Sequence, residues 1–287
     1  MDEFLRPSVP LAIAIFLVTA MLSLGLDLTL KQIMEPLRNR RLVIKSVLIS
    51  GLAVPLVAIA LTQALAMEQA LATGLIVYAL AAGTEGGPKF VQLVKGSTAF
   101  AFGLLGVLLT VTVVFLPLAI NLAIPGAEVS VGEVVVKLLL LVALPIAVGM
   151  VVNARVADLA ARISPGVHRL SMIFLAILFF LVIYVNIDAI VSLQWTALLA
   201  GLLLFAISYV IGYAAGGPAV EDRKALAFMT FARNGSISML IAGQVFIEQP
   251  QVLVMATLMA AGSVVVAVIV VVTDRLLNRR TGVATAI

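Results

Sequence analysis

Apolar residues in this chain run in long, nearly unbroken stretches, and polar residues gather in short clusters between them. A helix crossing a bilayer needs about 20 apolar residues at 1.5 Å rise each. Nine stretches meet that length, at 8–29, 41–66, 69–95, 97–122, 134–153, 169–187, 195–216, 223–247 and 251–274. The pattern predicts an all-α integral membrane protein with nine transmembrane spans. Two of them, the third and the eighth, are interrupted by glycine and polar residues.

Composition narrows the class further. Of the 287 residues, 63% are hydrophobic and 11% charged, against about 25% charged in ordinary soluble domains. A soluble enzyme, a nucleic-acid binder and a disordered scaffold are excluded on that ground. The net charge of +4 does not indicate a nucleic-acid partner, because the basic residues are scattered. The partner implied is the lipid bilayer. Without cysteine there are no disulfides and no thiolate metal sites. No phosphate-binding loop, Ser/His/Asp pattern or metal-ligand cluster is present, so neither enzymatic activity nor a bound cofactor is expected.

The charges also give an expected orientation. Lys31, Arg38, Arg40 and Arg41 follow span 1, Lys95 follows span 3, and Arg155, Arg162, His168 and Arg169 follow span 5. Arg275, Arg279 and Arg280 follow span 9, whereas the alternate loops carry Glu128, Glu133, Asp188 and Glu248. The positive-inside bias places the N-terminus outside and the C-terminus in the cytoplasm of the inner membrane. Asp2 and Glu3 precede span 1 where a cleaved signal would be basic, so span 1 is read as a retained helix. Trp195, Tyr184 and Tyr78 are candidates for the interface, and His168 reads as a solvated loop residue. Asp27 reads as a helix-end residue.

The two interruptions carry the chemistry. Span 3 contains Gly83, Thr84, Glu85, Gly86, Gly87, Pro88 and Lys89 in succession, and span 8 contains Arg233, Asn234, Gly235 and Ser236. Pro88 lacks a backbone donor and can begin a second half-helix. Asn234 and Gly235 can end one half-helix, with Ser236 capping the next. Unwound backbone at membrane depth occurs where it lines a cavity or is buried in protein. Paired broken helices in corresponding places of two halves point to a transporter's substrate site. The halves are residues 1–125 with four spans and 126–287 with five. Gly86, Gly87 and Gly235 permit the backbone to open. Glu85 and Arg233 are expected to form an ion pair that an organic anion or a proton opens. Lys89 reads as a partner of Glu85 or as a snorkelling residue. Gln244, Ser238, Thr110 and Thr112 read as hydrogen-bonding groups between helices.

At these residues the chain resembles the bile acid:sodium symporter family. The resemblance rests on MLSLGLDLTL at 21–30, Pro55 in span 2, the glycine-rich break, the Arg223-Lys224 entry to span 8, and Arg233-Asn234. It implies two inverted repeats with the first of ten helices absent and with two broken helices that cross. It also implies a core of spans 2–4 and 7–9 beside a panel of spans 1, 5 and 6. The sodium ligands of the family would fall on Gly87, Pro88, Met229, Arg233 and Ser50, and nearly all their side-chain oxygens are missing. A guanidinium accepts no hydrogen bond and repels cations, so its charge is expected to stand in for one sodium. The expected function is secondary-active transport of an organic anion, bile-acid-like or a small carboxylate, by alternating access. The coupling ion, sodium or a proton, stays open at this point. So do a channel or exporter lined by the breaks and a non-transporting membrane subunit. An arsenite permease would need the membrane cysteine that this chain lacks.

Overall fold

The computed structural model describes residues 8–34, 39–124, 126–127, 129–191 and 193–284, the last eight of these by backbone alone. Asp2, Glu3, Arg38 and Glu128 lie outside the described residues, and Arg279 and Arg280 are among those described by backbone alone. Eight helices among the described residues are long and apolar enough to cross a membrane. They are Ser8–Asp27, Arg40–Ala64, Thr98–Ala123, Val131–Arg155, Ala157–Val185, Trp195–Ala215, Val220–Gln244 and Pro250–Leu276. The remaining apolar stretch forms Gln69–Leu80 and Gly87–Leu93, separated by unwound chain, and is too interrupted to count as one helix. With it the described residues hold nine spans, numbered here in chain order. The outer surface suits lipid rather than water: Leu122 is 87% exposed and Trp195 70%, and Val191, Phe180 and Val210 also face outward.

Local sequence explains where the helices deviate. Span 2 carries a π turn at Ile49–Ala53 immediately before Pro55. Span 5 carries another at Leu139–Ala143 before Pro145. A proline has no N–H to continue the ladder, and a wider turn accommodates the missing bond. Span 6 begins earlier than the apolar pattern indicates. Its helix starts at Ala157 and runs through Pro165, so His168 lies on a helix rather than in a loop. The first third of that helix is polar and mostly exposed, which is why the hydrophobic run starts only near residue 169.

Spans 1, 5 and 6 pack on one another, and the first span is their shared element. Gly25 and Gly149 let spans 1 and 5 approach closely. A Cβ added at Gly149 would lie 2.7 Å from the Gly25 carbonyl carbon and from the Leu22 oxygen. Small residues of this kind let two membrane helices meet backbone to backbone. Spans 2, 3, 4, 7, 8 and 9 form the larger group, in which span 8 is almost wholly enclosed.

Side-chain bonds tie each end of the bundle together. Asp27 accepts a hydrogen bond from Ser164 at 2.6 Å, and Asn153 donates to Leu28 O. At the same end Lys224 donates to Val94 O and pairs with Asp274 at 2.7 Å. At the other end Lys137 donates to Gln244 O, Gln244 to Pro10 O and Gln251 to Glu68. Gln244 therefore bonds between helices, as its place in the sequence predicts.

Candidate functional site

The two breaks meet in the interior. Span 3 unwinds over 81–86, where Gly83 has φ +86°. A side chain there would be strained and would press on Leu108 and Leu109. Span 8 breaks at Ala232–Asn234, between Val220–Phe231 and Gly235–Gln244. The breaks are joined through their backbones: Asn234 N–H donates to Ala81 O at 2.7 Å. The Asn234 side chain donates to Gly83 O at 2.8 Å and accepts from Ile237 N–H at 2.9 Å. Asn234 is thus the N-cap of the second half-helix. The expectation that it ends the first half-helix, with Ser236 as the cap, is corrected. Its carboxamide offers both the acceptor a helix start needs and the donor that an unwound carbonyl lacks. From span 4, Thr112 donates to Ala82 O at 3.0 Å and holds the other side of the unwound strand.

The acidic and basic residues of the two breaks do not pair. Among the described residues no ion pair joins Glu85 to Arg233. Instead Ser236 Oγ donates to Glu85 Oε1 at 2.7 Å, and the buried Oε2 has no partner. Arg233 is 2% exposed, and its guanidinium donates to the carbonyls of Ser50, Ala79 and Thr230. Its own N–H donates to Tyr78 Oη at 3.3 Å. Tyr78 is therefore deep in the site and not at the interface, enclosed by the edge of Phe205. The reason the pair fails is local. Neutral main-chain oxygens left free by the breaks engage both terminal nitrogens of the guanidinium, and Glu85 accepts from a hydroxyl instead.

The other candidate positions divide clearly. Gly87 and Met229 face each other: a Cβ at Gly87 would meet the Met229 sulfur and lie 3.1 Å from Thr84 Cγ2. Met229 is fully buried, and so is the Ser50 side chain, whose hydroxyl makes no hydrogen bond. Pro88 is buried within the first turn of the half-helix Gly87–Leu93. Lys89 is exposed and forms no ion pair with Glu85 among the described residues. Ser238 and Thr110 bond to carbonyls of their own helices, at Gly235 and Gly106.

A cavity of about 460 Å³ lies against the crossing. Thr84, Glu85, Gly86, Gly235 and Ser236 line one wall, and Phe16, Met172, Leu175 and Phe179 from spans 1 and 6 line the other. A second cavity, of about 390 Å³, shares Glu85, Gly86, Phe90 and Met172 with the first. It continues to Asp27, Lys89 and His168 at one end of the bundle. Helix periodicity has no access to the wall from spans 1 and 6, which is all apolar. His168 is brought there by the early start of span 6, which the hydrophobic pattern conceals, and Asp27 by the last turn of span 1.

The Sodium Bile acid symporter family model matches residues 14–193, and the chain belongs to that family. The match covers the first break, and the second break lies beyond it. No curated protein matches the chain. The chain is accordingly a multi-pass membrane protein of a transporter family.

Proposed function

We propose that this family member is a secondary-active carrier of an organic anion, with the crossing of the two breaks as its substrate site. The observation that carries the reading is the 460 Å³ cavity, closed on one side by the breaks and on the other by spans 1 and 6. Its walls are largely apolar with a few convergent polar groups, the usual make-up of a small-molecule site. Such a site spans the seam between two helix groups, so motion of spans 1, 5 and 6 against the rest would open it alternately to each side. The substrate is a small carboxylate or a bile-acid-like anion.

The polar groups suggest how charge is handled. Asn234 caps the half-helix that begins at Gly235, and Gly235 and Ser236 face the cavity, at the end favoured by negative charge. Lys89 lines the approach beside Asp27 and His168 and would draw an anion inward. Arg233 borders the cavity, but its guanidinium is buried and engaged with carbonyls, so it is not the group that receives the anion. Glu85 would repel a bare anion inside the cavity. A proton entering with the substrate turns that repulsion into a hydrogen bond, and Glu85 is the group placed to share it. We therefore read a proton as the coupling ion.

Two further readings follow from the same frame. Residues 1–125 and 126–287 form inverted repeats, supported by breaks that fall one span from the end of each half. The N-terminus faces outward and the C-terminus the cytoplasm of the inner membrane, supported by the basic residues gathered at the Asp27 end. The reading of a structural Glu85–Arg233 lock in a non-transporting subunit loses its premise, since that pair does not form.

The test is counterflow in proteoliposomes, with a panel of labelled organic anions and an imposed pH gradient. Saturable uptake that Glu85→Gln uncouples from the pH gradient supports the proposal. Flux that does not saturate and follows voltage alone would indicate a channel instead.

A further inference from the structure

Arg233 stands at a point where three chain segments each lose a helical hydrogen bond, for three separate reasons. In span 2, the Val54 N–H bonds to Ile49 O across the π turn, and Pro55 has no N–H. Ser50 O is left with neither of its possible helical donors. In span 3, Ala79 belongs to the last turn before the chain unwinds, where carbonyls have no donor ahead of them. In span 8, the Asn234 N–H, which would otherwise serve Thr230 O, donates to Ala81 O. The three free carbonyls converge on one guanidinium.

This is the construction of a site for a monovalent cation. Two of the three oxygens belong to helix C-termini, whose dipoles favour positive charge. Carbonyls of unwound half-helices are the groups that coordinate such ions in membrane carriers. Among the described residues no carboxylate contributes: Glu85 accepts from Ser236 and makes no ion pair with Arg233. The guanidinium is also incompletely matched, since its Nε–H has no partner although it is buried. The common property of the three contacts is the positive charge they surround.

We propose that Arg233 is a tethered cation: its guanidinium permanently fills a monovalent-cation site and holds the two breaks in register with no free ion at that point. Resting on the carrier reading above, transport then draws no sodium through this site. Gly87 lacks a side-chain oxygen, and the Met229 thioether that fills the space beside it is a poor ligand for a hard cation.

The decisive experiment needs no substrate, so it stands apart from any failure of the transport proposal. Purified wild type and Arg233→Ala are melted in detergent in choline chloride. Sodium, potassium or guanidinium chloride then replaces part of the choline at constant ionic strength. Arg233→Ala is expected to melt below wild type in choline. Guanidinium or sodium should raise its Tm saturably, by roughly 3 °C or more, while leaving wild type unmoved. A monodisperse Arg233→Ala protein that no cation stabilises would overturn the proposal, because the cage would then have no affinity for an ion. Arg233→Lys serves if the alanine variant does not fold. It keeps a charge in the cage and should show no saturable sodium response, and such a response would overturn the proposal. So would saturable stabilisation of wild type by sodium.

Discussion

Replacing Asn234 tests whether the crossing of the breaks holds the interior together. In Asn234→Ala the backbone bond to Ala81 O survives, but both side-chain bonds are lost. Loss of an N-cap costs about 1 kcal/mol. A buried Gly83 carbonyl left without its donor adds about 1–3 kcal/mol, although polar bonds between membrane helices average nearer 0.6 kcal/mol. The sum is about 2 kcal/mol, a fall in Tm on the order of 3 °C for a chain of this size. Asn234→Ser separates the two contributions. Its hydroxyl can still accept from the Ile237 N–H, but it is too short to reach Gly83 O. It should therefore recover about 1 kcal/mol of the loss. The assay is reversible unfolding in mixed micelles, supported by thermal melts. An alanine variant within about 0.5 kcal/mol of wild type would refute the reasoning, given the cap and bond values used. So would a serine variant as unstable as alanine.

Three other perturbations follow from the same contacts. Gly149→Ala places a Cβ against the backbone of span 1, and should lower stability by about 1–3 kcal/mol, the usual cost of overpacking; an unchanged melt would show that the spans separate freely. Ser236→Ala removes the hydroxyl that donates to Glu85 Oε1, and should cut anion uptake at least about tenfold, the equivalent of one charge-assisted hydrogen bond. Ser236→Thr should restore it, and unchanged uptake by the alanine variant would remove Ser236 from the site. Lys224→Ala breaks a partly exposed pair with Asp274 and the bond to Val94 O, and should cost no more than about 2 kcal/mol in the same melts; a larger loss would mean that these contacts do more than a part-exposed pair and one hydrogen bond can.

The spans were legible because apolar length is a direct physical requirement of the bilayer. All nine appear within a few residues of their sequence limits except span 6, whose helix extends back through polar residues that hydropathy cannot see. The breaks were legible for an equally direct reason, since clustered glycine and proline weaken a helix even at membrane depth. What the breaks do to their neighbours was not. The partners of Arg233 are main-chain carbonyls, and an exposed carbonyl carries no residue type. Ser50 O becomes free only through the combination of a π turn and Pro55, a geometric result with no signature beyond the proline itself. The expected Glu85–Arg233 pair followed from side-chain charge alone, and it failed because backbone oxygens competed successfully for the guanidinium. Tyr78 misled for a related reason: an amphipathic ring suits an interface, but it suits a buried hydrogen bond equally well.

Uptake of labelled organic anions into proteoliposomes, measured across a pH gradient with and without sodium, bears most directly on the central claim. Proton-coupled carriage predicts saturable, gradient-driven uptake that is the same in sodium and in choline and is lost in Glu85→Ala. Uptake that requires sodium, or that persists unchanged in Glu85→Ala, would contradict it.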